Sequence, residues 1–418
     1  MDLKFFIPTT GLTIALLLLG GCATASAPAP EGNPASNPAS APDSTASALP
    51  QPTAVTLSAE QVKTFHDYLS HAREEGGLPG IAVVLAQPGR TLIVEGFGLR
   101  STAEDAPVTP DTRFALGPAT QAVNSLLLAR LAAQHLLDLD APARRCWDDF
   151  KLNDPLATRS VTLGQLLTMT GGVSDTIDHV LQPERSTPAN LFTVLAQLPV
   201  LAQPGDTFSY SETSPAAAGY LAVYAVNHKH TPDTGLPTAY AALAKAQLFD
   251  PVGMKRATFA ASDATANDND AVGHARAIGG NWHPDFIATT SSALLPAHGL
   301  RVSAHDVAAW LQIELNGGLA PDGTRLLAEE DVQQRWHPPT VRNSQQFGMG
   351  WAQQFYRGVE IVSRLDAGED QAVLVAIFPQ HRTAFAILSN AGGREASVFL
   401  QDALLNLADL LRESSLEK

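Results

Sequence analysis

Two pairs of apolar, β-rich runs sit near opposite ends of this 418-residue chain, and a turn splits each pair. The first is IAVVLAQPGRTLIVEGFG, beginning at Ile81, with a Gln-Pro-Gly-Arg turn between its halves. The second is AVLVAIFP and TAFAILSN, running from Ala372 to Asn390. Helical patterns lie outside both hairpins. QVKTFHDYLSHAREEG carries Val62, Phe65 and Leu69 at helical spacing, and the closing segment puts Leu404, Leu407 and Leu411 on one face. Strands near both ends of the chain must therefore be reconciled with helices before, between and after them.

The first 22 residues, MDLKFFIPTTGLTIALLLLGGC, place Lys4 ahead of a short apolar run that ends in Leu-Gly-Gly-Cys. A run this short, followed by small residues, reads as a signal peptide and not a membrane span. Its ending resembles a bacterial lipobox, so Cys22 is the expected lipid attachment site and the first residue of the mature protein. Ala23 follows without the aspartate that retains many lipoproteins at the inner membrane. That points to the periplasmic face of the outer membrane in a cell with two membranes. Residues 23–56 are rich in Ala, Pro and Ser, without hydrophobic period, and are expected to form a disordered tether. Residues 57–418 are long enough for one large folded domain.

Formal net charge is −15, and the leader removes one acid, Asp2, and one base, Lys4. An acidic chain argues against nucleic acid as a partner. With Cys22 lipidated, no intramolecular disulfide to Cys146 can form. Among the histidines, His228 and His230 form His-Lys-His, while His66 and His71 lie five apart, off the same-face spacing of a helix. No zinc-type Cys/His cluster and no glycine-rich phosphate loop occurs, so neither metal nor cofactor is expected.

Three stretches carry the chemical signal. FALGPATQAVNSLLLARLAAQHLLDLDAP, from Phe114, closely resembles the active-site helix of class C-type serine β-lactamases and penicillin-binding proteins. In that family the segment reads aromatic-x-x-Gly-Ser-x-x-Lys, an apolar helix, then Leu-x-Asp-x-Pro. Here Pro118 stands at the serine and Gln121 at the lysine. Proline has no nucleophilic atom, and the glutamine amide cannot accept a proton near neutral pH. Proline does fit the first turn of a helix, so the helix can outlast the activity. PGDTFSYSETSPAAAGYL resembles the Tyr-x-Asn segment, with Tyr210 and Ser211 in the first two places and Glu212 replacing the asparagine. A carboxylate accepts but does not donate, so Glu212 repels a substrate carboxylate where an amide would hold it. VSRLDAGEDQAVLVAIFPQHRTAFAILSN resembles the final strand pair, with Arg364 at the basic position of Lys/His-x-Gly and Asp366 at the glycine, counted back from Pro379.

Further segments resemble the same family in the right order. SVTLGQLLTMTGGV has Met169 and Gly171 where the family has His and Ser, and LFDPVGMKRATF matches Pro-Leu-Gly-Met. PAHGLRVSAHDVAAWLQ is similar to Gly-Gly-Leu-x-Ser-Thr, and FGMGW to Tyr-Gly-x-Gly-Trp. The resemblance implies an α/β, β-lactamase/transpeptidase-like fold: an antiparallel sheet flanked by helices, with an inserted helical lobe, over residues 57–418.

Three functions follow from the altered motifs. The first is a catalytically silent envelope lipoprotein whose cleft binds a cell-wall fragment, a small molecule or an envelope protein. The second is an active β-lactamase, peptidase or esterase with a substitute nucleophile, Ser211, and Tyr210 as its base. The third is a structural protein with a filled cleft. A Ser-x-x-Lys at Ser415 to Lys418 falls on the chain terminus, a poor place for a site.

Overall fold

The computed structural model describes residues 56–173, 186–227, 235–259, 269–276, 280–285, 291–337, 339 and 347–416. The leader, Cys22, nearly all of the tether, and the His228/His230 pair lie outside the described residues. The strands that matter here are β1 (Gly80–Gln87), β2 (Arg90–Ser101), β3 (Ala106–Pro107), β4 (Ala352–Tyr356), β5 (Val359–Ala367), β6 (Ala372–Phe378) and β7 (Thr383–Ser389). The helices are α1 (Ala59–Glu75), α2 (Thr120–Ala133), α3 (Thr213–Val226), α4 (Ala304–Leu315) and α5 (Gly393–Leu416).

Every residue of β1 is buried, because the strand is covered on both faces. Side chains alternate across a strand. Ile81, Val83 and Leu85 enter a core with Phe65 and Leu69 of α1 and Leu404, Leu407 and Leu411 of α5. Ala82, Val84 and Ala86 enter a second core shared with the helical lobe. Among the described residues the sheet has seven strands in the order β3-β2-β1-β7-β6-β5-β4, and its pairings are antiparallel. The two hairpins read from the sequence therefore meet at its centre, with Ile81 opposite Ser389 and Ala86 opposite Ala384.

Helix α1 begins at a capping box, in which Ser58 accepts from Gln61 and the Gln61 side chain returns to the Ser58 backbone. Phe65 and Leu69 are fully buried there, each worth about 1.5–3 kcal/mol of apolar transfer, while Val62 is only half-buried. The Leu-rich face of α5 is buried as its spacing requires.

The lobe is inserted between β3 and β4, with α2 at its centre. Residues Thr120 to Ala129 of α2 are all buried, so this helix has no solvent face to make it amphipathic. The buried Asn124 amide on this helix is satisfied: it donates to the Pro215 carbonyl at 2.8 Å and accepts from the Tyr240 hydroxyl at 2.9 Å. The segment before β4 passes directly over α2. At Gly350, where φ is +84°, an added Cβ would come within 2.5 Å of the Ala122 nitrogen.

A buried ion pair locks this arrangement. Arg335 and Glu314 are about 1% exposed and pair through Nη2 and Oε2. Arg335 also donates to the Ala122 carbonyl at 3.3 Å and to Ser125 at 3.2 Å, both on α2. Glu314, on α4, accepts from the indoles of Trp310 at 2.9 Å and Trp336 at 3.1 Å. Removing one partner of such a pair strands the other charge. Arg335→Met is expected to destabilise the fold by about 3–5 kcal/mol, read as a lower urea midpoint; an unchanged midpoint would show that the pair contributes little.

Candidate functional site

The site forms where the start of α2, the loop before α3, and β5 converge. Gly117 sits at φ +52°, in the left-handed region, and opens a short 3-10 turn over Gly117–Ala119 that leads into α2. Pro118 is buried as the second residue of that turn, among the opening N–H groups that have no partner within the helix, so its missing N–H costs little. Gln121 lies three residues on, on the same helix face. It is 1% exposed, and neither its amide nitrogen nor its amide oxygen finds a hydrogen-bond partner. A buried amide left unpaired costs about 1–3 kcal/mol.

The second element is held by Met169, whose φ of +57° turns the chain beneath the Tyr210 segment. Its carbonyl accepts from the Ser209 N–H at 3.0 Å, and its sulfur from the Ser211 N–H at 3.5 Å. The sequence left Ser211 open as a substitute nucleophile, and the geometry speaks against it. Ser211 is fully buried, its Oγ lies 2.8 Å from Thr213 Oγ1, and it accepts from both the backbone and the hydroxyl of Ser214 at 3.2 Å. It ties down the start of α3 instead of facing a substrate, and Tyr210 is engaged elsewhere.

Strand β5 supplies the third element. Arg364 and Asp366 are two apart and so share one face, opposite Val375 and Val373 of β6. Arg364 Nη2 donates to the Tyr210 hydroxyl at 2.8 Å, and the guanidinium lies 5.6 Å from the Tyr210 ring centre and 5.3 Å from that of Phe347. The Tyr210 hydroxyl lies 3.3 Å from Glu212 Oε1, to which it donates. His298 Nε2 stands 2.8 Å from the same oxygen. A Cβ on Gly117 would lie 3.5 Å from Asp366 Oδ2, so this carboxylate stands over the 3-10 turn.

The spacing from Pro379 thus places Arg364 and Asp366 at the start of α2 with Tyr210 and Glu212. His298 and Phe347 escaped the sequence reading. Both lie in quoted segments: His298 falls at the first glycine of Gly-Gly-Leu, and Phe347 opens FGMGW. The signal for His298 was a side chain where the family has none. Ser415 is bound to the Leu411 carbonyl at 2.9 Å and to His381 at 3.1 Å, and Lys418 lies outside the described residues. Among the described residues no group of three or more His, Cys, Asp or Glu side chains is arranged to hold a metal, and no helix is long and apolar enough to cross a membrane. A cavity of about 640 Å³ opens at the far end of α2, beside His135, Asp138, Arg145 and Met349; none of the site residues lines it.

Burial raises the Tyr210 hydroxyl above its usual pKa, with Glu212 and Asp366 adding to the rise against the charge of Arg364. For Glu212, burial pushes upward but is outweighed by the His298 contact, Arg364 and the Tyr210 hydroxyl, so the carboxyl lies below its usual range. Burial raises Asp366, and the charges of Arg364 and His298 offset this only in part. The two carboxylates are therefore held in opposite senses.

The Beta-lactamase family matches residues 65–410. The chain belongs to that family. Its fold is shared with the octameric penicillin-binding protein homologue from Pyrococcus abyssi, at a TM-score of 0.65 and 21% identity, over 83% of this chain and 77% of that one. Penicillin-binding protein 4 of Amycolatopsis lactamdurans is 24% identical over 77% of this chain and 83% of its own length. Protein flp of Staphylococcus aureus strain MW2 is 22% identical over 70% of this chain, and the match spans only 56% of flp. Within the family's frame, each position that departs from the motif is occupied by a group of different chemistry, and Glu212, His298, Arg364 and Asp366 gather around Tyr210.

The opposite shifts give opposite pH signatures. The native state favours ionised Glu212, so its contribution is present above the usual pKa of 4.5 and is lost as pH falls below it. Asp366 binds its proton more tightly in the native state, so its ionisation costs stability once pH rises above the usual 3.8. At pH 7, Glu212→Gln is expected to lower the melting temperature and Asp366→Asn to raise it, with both differences shrinking toward pH 3. Thermal melts across that range check the pair; equal signs at pH 7 would refute the assignment.

Proposed function

We propose that this chain is a non-hydrolytic member of the β-lactamase family, lipid-anchored through Cys22 at the periplasmic face of the outer membrane. Its cleft serves as a binding or docking site for a cell-wall fragment, a small molecule or an envelope protein. The observation that carries this reading is the buried Pro118 in the 3-10 turn that leads into α2, with Gln121 three residues later, where the family has serine and lysine. Acyl transfer in this family needs a hydroxyl and a base at those places. Tyr210 is no substitute base, since its hydroxyl is bound by Arg364 and donates to Glu212.

The half-buried state of Tyr210, Glu212, His298 and Asp366 favours ligand capture over a purely packed interior. Solvent still reaches the Glu212 and His298 side chains, which are 21% and 23% exposed. The acidic balance of the whole chain, −15, favours no nucleic acid and no broad anionic surface as partner.

One relative is named for penicillin binding, which makes a reactive penicillin the apt probe. The purified chain, incubated with a reactive penicillin and separately with an activated ester, is expected to keep an unchanged intact mass and to consume neither probe. A mass increase mapped to a hydroxyl at the site would overturn the non-hydrolytic reading. Pro118→Ser combined with Gln121→Lys is expected to recover at most weak acylation, because Glu212 and Asp366 still repel an anionic substrate. Robust turnover by that double variant would show that those two carboxylates matter less than argued.

A further inference from the structure

We propose that the cavity at the far end of α2 is a second ligand site, which takes an aliphatic diamine or a longer polyamine. It lies apart from the cleft at the start of α2 and does not depend on the reading given for that cleft.

The cavity measures about 640 Å³, within the range of about 300–1,000 Å³ usual for small-molecule sites. It continues into a recess of about 190 Å³, and Leu139, Asp331, Gln334 and Met349 border both spaces. Asp331, on the short helix Glu329–Gln334, therefore stands where the two join, whereas Asp138 and Asp140 line only the larger one. Asp331 is half-buried, and among the described residues its carboxylate makes neither a hydrogen bond nor an ion pair. Asp138 accepts from the Asp140 N–H at 2.9 Å, which still leaves its carboxylate room for a further donor.

Charge selects the class of ligand. Among the residues that line the larger space, three carboxylates face one permanent cation, Arg145, and His135 adds a positive charge only when protonated. Arg335 borders the recess, but Glu314 balances its charge. The cavity also opens at the C-terminal end of α2, the negative end of its dipole, and Arg130, the basic residue of that last turn, does not line it. An anion would meet like charges here. The acids do not converge on one point, for among the described residues no group of three or more His, Cys, Asp or Glu is arranged to hold a metal ion. Separate carboxylates beside the apolar side chains of Leu139 and Met349 match a ligand whose own charges are separated by methylenes. One ammonium donates to Asp331 and the other to the Asp138–Asp140 loop, while the chain between them covers apolar surface.

Isothermal titration calorimetry of the full-length chain at low ionic strength tests this with trimethylenediamine, putrescine, cadaverine and hexamethylenediamine. Pentylamine serves as the single-charge probe and glutarate as the anion. At least one diamine is expected to bind saturably, with pentylamine about tenfold weaker and glutarate without measurable heat. Asp331→Asn and Asp138→Asn are each expected to weaken the best diamine about fivefold or more. Asp105→Asn makes the same charge change at an exposed position away from the cavity, and should leave binding unaltered. Absent binding of every diamine overturns the proposal, and so does pentylamine binding as tightly as the best of them. Equal weakening by Asp105→Asn and Asp331→Asn also overturns it, since the acidic chain as a whole would then be attracting the amines. The probe series needs no variant, so a misfolded mutant cannot rescue the idea.

Discussion

The buried pair of Glu314 and Arg335 fixes the helix on which everything at the site depends. It joins α4, the segment leading to β4, and the Ala122–Ser125 stretch of α2 in one hydrogen-bonded unit, with two indoles completing the carboxylate. Two charges removed from water cost several kcal/mol each unless geometry and further hydrogen bonds compensate. Here the carboxylate has three donors, and the guanidinium reaches both a carbonyl and a hydroxyl. Because α2 is buried on every side from Thr120 to Ala129, it cannot slide or rotate without breaking that unit. The Gly117–Ala119 turn is thereby held against β5 whatever residue follows the glycine. None of the residues in the lock does the family's chemistry, so the frame persists with proline in place of serine.

Electrostatics at the site have been rebuilt with internal consistency. Glu212 adds a negative charge, and His298 stands 2.8 Å from it. Arg364 keeps the positive charge of β5 but spends it on the Tyr210 hydroxyl and two aromatic faces. The Tyr210 hydroxyl accepts from a guanidinium and donates to a carboxylate. It is a bridge between charges, and burial with flanking acids keeps it protonated. The replaced groups act on one another, so no single one sets the charge balance of the site.

Much of the architecture was legible because it rests on periodicity. The largely apolar runs of β1, β6 and β7 announce strands covered on both faces, and the 3–4 spacing of Leu404, Leu407 and Leu411 announces the buried side of α5. Val62 fits the same kind of pattern yet is only half-buried, since it lies at the margin of the α1 stripe. The site was legible only where motif order supplied the third dimension, as with Tyr210, Glu212, Arg364 and Asp366. Ser211 shows the limit. Adjacency to Tyr210 suggested exposure to the cleft, but successive residues at a helix start point in different directions, and this hydroxyl turns inward to Thr213 and Ser214. His298 lies far from Glu212 in sequence, and nothing local in the chain reveals that pairing.

Two features of the site run against the stability of the fold. The Gln121 amide is buried with both functions unpaired, a cost of about 1–3 kcal/mol. Asp366 is desolvated without a direct partner, and its ionised form is disfavoured by that burial. Neither follows from packing, for an aliphatic side chain would fill the first place and the family's glycine would relieve the second. One turn further along α2 the buried Asn124 is matched, by Pro215 and Tyr240. The two α2 amides thus differ although they share one buried helix: Gln121, at the family's lysine position, has no partner, whereas Asn124 is held from both sides.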